Sequence, residues 1–539
     1  MGPPIYDKLL KSQLRIDMTQ QKLLSAMAQP DFYPHPVETV DRRETHISHV
    51  FLAGDLVYKV KKPVEMGFLD FSTLEKRRHY CRQEAALNRR LAPDIYKGVE
   101  AITQKDGVYR LSGTGETVEY AVKMRRLPDH CALHRLLKRE ALQEEQVRDL
   151  GRLLADFYTK AAPAPTGSDL GSWEVVRKNC EENFEQLGPF LETPLDPERF
   201  HLVEKATRSF LDRRKAAFRR RTAEGRIRNC HGDLRTGHIY FDGRFHIIDC
   251  IEFNQRFRYH DAASDLAFLA MDLDFLGYTE LGPRILDICS AHIGDAEMFL
   301  LLDFYKCYRA MVRCKIACFQ MADAEPGERA RLGRNAERYL SLAGDYAPRF
   351  SRPTLWAVCG LPGAGKSTIA KRLSRSLDAA VLRTDVIRKE LFGAGDSGGP
   401  EQGFQEGIYS EQARSLTYGK MLTMAAERLE TGRSVILDAS FGGRRRREEA
   451  VRLARQTGAR IVFVHCVADA LRLEERLRRR ESAECVSDAR IHHLEAIRNA
   501  FDPFTDIPAS AHIRADTDVA PEATFRQILS EYHRRLSAP

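Results

Sequence analysis

The chain has 539 residues, a length that calls for more than one hydrophobic core and excludes a peptide module. Apolar residues make up 43% and charged residues 30%, which excludes a disordered chain. The net charge of +8 divides evenly, +4 in residues 354–539 and +4 in the rest, and without a basic tail it suits phosphate-bearing small ligands as readily as nucleic acid.

Residues 8–29 carry leucines at helical spacing and stop at Pro30, so a short packing helix is expected ahead of the first sheet. The charged start lacks a secretory apolar core and no run of 18 apolar residues occurs, which predicts a soluble, cytoplasmic protein. Twelve cysteines scattered from Cys81 to Cys485, without a CxxC pair, read as reduced structural thiols.

Thr45–Leu52 and Leu56–Val60 read as strands around a turn, Ser72–Leu91 as a helix ended at Pro93, and Val99–Thr103 and Glu119–Met124 as strands around Gly113–Gly115. Residues 1–127 are therefore expected to form a small lobe of antiparallel sheet with a helix. The helical period governs Cys131–Lys160, Pro197–Arg220 and Ala262–Leu340, around a strand-rich island at Arg228–Ile251, which makes 128–345 a helical lobe. The proline-bearing YAPRFSRPT places a linker at 346–353. Residues 354–539 alternate strands (Leu355–Cys359, Ala379–Arg383, Ser434–Leu437, Ile461–His465) with helices, the rhythm of an α/β domain with a mainly parallel sheet.

The second domain opens on TLWAVCGLPGAGKST, a strand followed by G-x-x-x-x-G-K-[ST] and a helix. Gly360, Gly363 and Gly365 allow a tight turn whose N–H groups point inward, and the next helix directs its positive end at a phosphate. Gly360, Gly363, Ala364, Gly365, Lys366, Ser367 and Thr368 thus form a nucleotide cradle in which Lys366 reaches the terminal phosphates and Ser367 ligates magnesium. Asp438, ending SVILD, can hold magnesium or merely cap a helix. Asp385, in LRTDVIRKELFG, can accept the proton of an attacking hydroxyl, and Arg388, one helical turn on, can hold the acceptor or simply pair with Asp385. Arg472, Arg476, Arg479 and Arg480 lie on adjacent helical turns, where one can close over the transferred phosphate or all can be solvated. Arg444–Arg447 reads as a solvated helix start.

These motifs resemble the small-molecule kinase branch of the P-loop fold, and more narrowly gluconate kinase, chloramphenicol phosphotransferase, polynucleotide kinase and zeta-toxin relatives. The resemblance implies that Asp385, in the D-x-x-R pattern, is the hydroxyl-activating base.

In the first half, IRNCHGDLRTGHIYFDGRFHIIDCIEF places Asp233 and Asp249 sixteen residues apart around a hairpin turn. Two carboxylates at neighbouring strand ends can divide the work of orienting a hydroxyl and holding magnesium. The motif resembles the aminoglycoside phosphotransferase, protein-kinase-like fold, in which HGD replaces HRD. That resemblance implies that Asp233 is the catalytic base and Asp249 the main magnesium ligand, with His238 where the family has a metal-binding asparagine. It further implies that Lys59, in LVYK, grips phosphates braced by Glu84, with Lys61, Lys62 and Glu75 as rivals, and that Met124 falls at the adenine hinge or in the core. No G-x-G-x-x-G loop precedes Lys59. Asp261 and Asp265 are expected to tie the helical lobe to the loop bearing Asp233.

Over nearly its whole length, through FLDFSTLEKRR, DCIEFN, DLAFLAMDLD and the Walker region, the chain resembles a bacterial two-domain family described as bifunctional aminoglycoside phosphotransferase and ATP-binding protein. The expected fold is an α+β bilobal protein-kinase-like domain followed by an α/β P-loop NTPase domain. The expected function is transfer of the terminal phosphate of ATP or GTP, with Mg, to a hydroxyl of a small molecule, from two nucleotide sites. Arginines such as Arg213, Arg214 and Arg219–Arg221 suit an anionic acceptor. Two alternatives stand beside this: a nucleotide-driven regulatory protein whose phosphotransferase lobe is weakened at His238, and a kinase acting on nucleic acid or protein, disfavoured because no basic stacking stripe accompanies Trp173 and Trp356.

Overall fold

The structure, a computed structural model, describes residues 18–322, 324–392, 410–481 and 494–537. The chain forms two compact units. The first comprises Met1–Glu204, Arg219–Ile293 and Tyr305–Gly344, and the second Lys205–Phe218, Gly294–Phe304 and Asp345–Pro539.

The first unit carries a six-stranded antiparallel sheet of order β1-β2-β3-β6-β4-β5: β1 Val40–Glu44, β2 Ser48–Ala53, β3 Leu56–Lys61, β4 Tyr96–Lys105, β5 Val108–Leu111 and β6 Glu116–Arg125. Alternation along β3 divides its side chains between two cores. Tyr58 and Val60 pack with Phe51, Ile102 and Ala121 and with Leu23, Leu24 and Met27 of the helix Met18–Met27. Val57 packs on the other face with Leu52, Val122 and Met124 and with Cys81 and Ala85 of the helix Leu74–Asn88. Lys59 and Lys61, at the period of Val57, share that second face. The helix Leu74–Asn88 starts where Thr73 accepts the Lys76 N–H and buries Arg77, Cys81, Glu84, Ala85 and Asn88, one stripe at helical spacing.

Two short ladders frame the polar cluster of the helical lobe: β7 Ile227–Asn229 pairs with β10 Tyr259–Asp261, and β8 Ile239–Phe241 with β9 Phe245–Ile247. The helix Ala262–Phe275, buried along most of its length, anchors the loop between them. Asp265 accepts the N–H groups of His231 at 2.7 Å and Gly232 at 3.0 Å, and Asp272 accepts the N–H and hydroxyl of Thr236 at 2.9 and 2.6 Å. Asp261 has another task than the one expected: it caps the helix through the Ala263 N–H and pairs with the buried Arg221.

The second unit holds a parallel sheet of order β12-β13-β11-β14-β15: β11 Thr354–Cys359, β12 Ala380–Arg383, β13 Val435–Asp438, β14 Arg460–Val467 and β15 His512–Asp516. β11 is buried throughout. Gly360 follows it with φ +131°, and a Cβ there would lie 2.3 Å from the carbonyl oxygen of Cys466, so the turn into the Walker loop requires glycine.

Three expectations change. Residues 346–351, read as linker, are the last turns of the helix Pro326–Ser351, because Tyr346 and Ala347 continue the buried stripe of Ala336, Tyr339, Leu340 and Ala343. β1, β5 and β15 were not anticipated; β1 (VDRRE) and β15 (HIRAD) are mostly polar and pair at sheet edges, where apolar alternation is not required. Arg447 is no solvated helix residue: it is fully buried, donates to Asp506 Oδ2 at 3.0 Å and Oδ1 at 2.6 Å, and lies 4.4 Å over the ring of Phe504. Residues 8–17, Cys485 and the Arg480 side chain lie outside the described residues; the eleven described cysteines are all free and buried.

Candidate active sites

In the first unit the Val57 face of β3 meets the loop after β9 through Lys59 and Lys61. Lys59 Nζ lies 2.9 Å from Glu84 Oε1 and 2.6 Å from Asp249 Oδ1, so the expected lysine, glutamate and aspartate meet. Glu84 is fully buried, and its other oxygen takes Lys61 Nζ at 2.7 Å, while Lys61 also pairs with Glu252. Lys61 is therefore a buried brace for Glu84, and Glu75, at the exposed start of the helix, takes no part. Asp249 stands in the left-handed region at φ +66° with its N–H on Tyr96 Oη at 3.1 Å. Desolvation works against its charge, but the Lys59 ammonium holds its carboxyl well below the usual carboxylate range. Met124 belongs to the apolar cluster that includes Val57, against which Ile248 packs.

His238 stands between the two loop carboxylates. Its Nδ1–H donates to the main-chain oxygen of Asp233 at 2.9 Å; a carbonyl can only accept, so the neutral ring carries its lone pair on Nε2. Nε2 lies 3.0 Å from Arg235 Nη2 and 3.7 Å from Asp249 Oδ2. Burial, followed by the charge of Arg235, lowers the His238 pKa and keeps the ring neutral.

Arg235 is a residue that motif reading missed. Its Nε donates to Asp233 Oδ1 at 2.8 Å and its Nη2 to Oδ2 at 3.0 Å, a two-pronged clamp. Burial opposes ionisation of Asp233, yet Arg235, then Arg313, push its pKa far down. The available signal was an arginine two residues after the loop aspartate, close enough to fold back on it.

In the second unit Ser367 Oγ donates to Asp438 Oδ2 at 2.7 Å, and Arg383 Nε lies 3.2 Å from the same oxygen. The β12–β13 register sets Arg383 opposite Asp438, an arginine that motif reading also missed. Lys366 Nζ donates to the carbonyl of Leu361 at 2.9 Å, folded over its own loop. Asp385 and Arg388 are paired at 3.2 Å. Of the candidate arginines, Arg476 faces the cradle, with Nη1 3.3 Å from the Gly363 carbonyl and 3.2 Å from Thr517 Oγ1, whereas Arg472 and Arg479 pair with Glu475 on their own helix.

Among the described residues, Cys230, His260 and Asp265 bring possible metal-ligand atoms within 4.8 Å of one another. Those atoms are engaged internally: Asp265 on the loop N–H groups, His260 Nε2 3.1 Å from Arg309 Nη2, and Cys230 Sγ on the carbonyl of His260. The trio fixes the loop. No helix among the described residues is long and apolar enough to cross a membrane.

Fold and sites together define a phosphotransferase domain joined to a P-loop nucleotide-binding domain. Residues 71–291 match the phosphotransferase enzyme family and residues 355–504 the AAA domain family. The chain is 33% identical over 470 residues to uncharacterized protein Rv2004c of Mycobacterium tuberculosis (strain ATCC 25618 / H37Rv), a match covering 86% of this chain and 92% of the relative. The chain belongs to this family of fused phosphotransferase and AAA-domain proteins. It is also similar to a choline/ethanolamine kinase family protein from Mesorhizobium loti, at 15% identity over 61% of this chain and 99% of that one with a TM-score of 0.35. A gluconokinase from Sinorhizobium meliloti 1021 is similar at 20% identity over 34% and 93%, with a TM-score of 0.24. Residues 71–291 are therefore a phosphotransferase-family domain.

Proposed function

We propose that each unit binds ATP or GTP with magnesium and transfers the terminal phosphate to a hydroxyl of a small molecule. The observation that carries this reading is the convergence of Lys59, Glu84, Asp249, His238 and Asp233 in one connected cluster. In the first site Glu84 fixes Lys59 against the phosphates, the apolar cluster of Val57, Met124 and Ile248 offers a seat for a base, and Asp233 orients the acceptor hydroxyl and takes its proton. Asp249 and His238 fit a shared cation, one offering carboxylate oxygens and the other, once Nε2 releases Arg235 Nη2, an imidazole lone pair 3.7 Å away. In the second site Ser367 and Asp438 fit the same ion through their oxygens. Magnesium, when bound, neutralises phosphate charge. Gly360 to Thr368 hold the nucleotide, Lys366 leaves the Leu361 carbonyl for the phosphates, and Asp385 receives the acceptor proton while Arg388 positions it.

An anionic acceptor suits the first site, since Arg235 and Arg313 both act on Asp233. The clamp of Arg235 on both oxygens of Asp233 favours a second reading, a nucleotide-driven regulatory protein with a restrained phosphotransferase lobe. Incubation with ATP, magnesium and a metabolite extract, followed by mass detection of phosphate-shifted products, separates the two. Products lost in Asp233→Asn support the first; nucleotide hydrolysis without phosphate-shifted products supports the second.

A further inference from the structure

A cavity of about 480 Å³ opens in the second unit, and every residue lining it belongs to that unit. It includes Thr354 at the start of β11 and Ser434 just before β13, so it lies at the N-terminal ends of the strands, whereas the Walker loop follows their C-terminal ends. None of the nucleotide-cradle residues lines it. Its size falls within the roughly 300–1,000 Å³ of small-molecule sites.

Two of its lining groups are buried polar atoms without a hydrogen bond. Trp356 is 1% exposed and its Nε1–H finds no acceptor. Asp303 is 5% exposed and its Oδ1 accepts no hydrogen bond, with Arg349 Nη1 3.7 Å away. A buried donor left unmatched costs stability, and a ligand in this cavity could give the indole N–H its acceptor while meeting the Asp303 oxygen that only the Arg349 ion pair reaches. The rest of the lining narrows the class. Five arginines and three aspartates line it; Arg213, Arg214 and Arg352 also donate to the carbonyls of Ser351, Leu377 and Gly458 and Arg349 pairs with Asp303, so the remaining positive excess favours an anion, and Phe210, Phe350 and Tyr532 add aromatic surface to Trp356.

We infer that this cavity is a third ligand site, separate from both phosphoryl-transfer sites, that binds a small aromatic anion carrying a hydrogen-bond donor. The acid group engages the arginines and gives the indole N–H an acceptor, the donor meets Asp303, and the ring packs against the aromatic lining.

Anthranilate, a planar carboxylate with an amine donor and no hydroxyl for either transfer site to use, is the probe. Trp356 is one of two tryptophans, so Trp173→Phe isolates it as the energy donor to bound anthranilate. Saturable sensitised emission is expected, unchanged by Lys366→Ala. Arg433→Glu, a reversal at an exposed lining position, is expected to weaken binding by about five- to tenfold, the scale of one charge at a site's mouth. Calorimetry on the unmutated chain checks the affinity independently of either substitution. Emission that only rises linearly with anthranilate, no calorimetric heat, loss of binding in Lys366→Ala, or an Arg433→Glu chain that binds as before overturns the assignment.

Discussion

His238 Nδ1 donates to the main-chain oxygen of Asp233 at 2.9 Å, which leaves Nε2 as an acceptor 3.0 Å from Arg235 Nη2 and 3.7 Å from Asp249 Oδ2. A nitrogen donor beside a carboxylate ranks cations differently from an all-oxygen pair, because magnesium favours oxygen and manganese tolerates imidazole.

His238→Asn is therefore expected to lower the preference of the first site for manganese over magnesium. Electron paramagnetic resonance of bound manganese, in an Asp438→Ala background that removes the second site's carboxylate ligand, measures it. Nitrogen coupling from the imidazole is expected before the substitution and not after it. Its absence in the parent chain would remove His238 from the ligand set.

Arg235→Ala acts on acid–base behaviour. Asp233 has its pKa depressed by Arg235, so it stays ionised well into acid and can accept a proton throughout the ordinary range. Removing the guanidinium raises that pKa, the ionised fraction then falls at moderately low pH, and the acid limb of the first site's rate moves upward. Product formation against pH, parent beside variant, reads the shift; an unmoved limb would mean that another group sets it.

In the second unit Lys366→Ala is expected to weaken nucleotide binding by about ten- to a hundredfold, the worth of a charged contact to phosphate. Asp385→Asn should leave that affinity alone while lowering turnover by roughly 10²–10⁴-fold, the usual contribution of a general base. Equilibrium nucleotide titration and product formation are measured together. Unchanged turnover in Asp385→Asn would assign the proton to another group.

Arg447→Ala breaks a buried ion pair and strands Asp506, which is expected to cost about 3–5 kcal/mol. Arg447 also donates to the carbonyls of Phe441 at 3.0 Å and Pro503 at 2.9 Å, so Arg447→Lys, lacking the planar fork, is expected to recover little. Denaturant unfolding followed by Trp356 emission in Trp173→Phe reports the loss in this unit.

Much of both sites was legible because each begins as a run of consecutive residues. The Walker loop follows its strand directly, and HGD with Asp249 spans one hairpin, so their identities survive without any knowledge of packing. Residues 346–351 were misread because two prolines outweighed a buried stripe whose partners lie far away in sequence. Arg447 was misread because four adjacent arginines look alike until one of them meets Asp506, 59 residues on.

The sequence by itself determined that two phosphate-handling loops sit on two different folds, since glycine positions, strand period and helix signals are local properties of the backbone. Only the tertiary structure decided that Lys59 and Lys61 share Glu84, that Arg235 closes on Asp233, that Arg383 stands opposite Asp438, and that Arg476 rather than Arg472 or Arg479 meets the cradle. Those choices depend on strand register and side-chain reach across tens to hundreds of residues, and a charge can be assigned a partner only when the fold has fixed which opposite charge lies within a few ångströms.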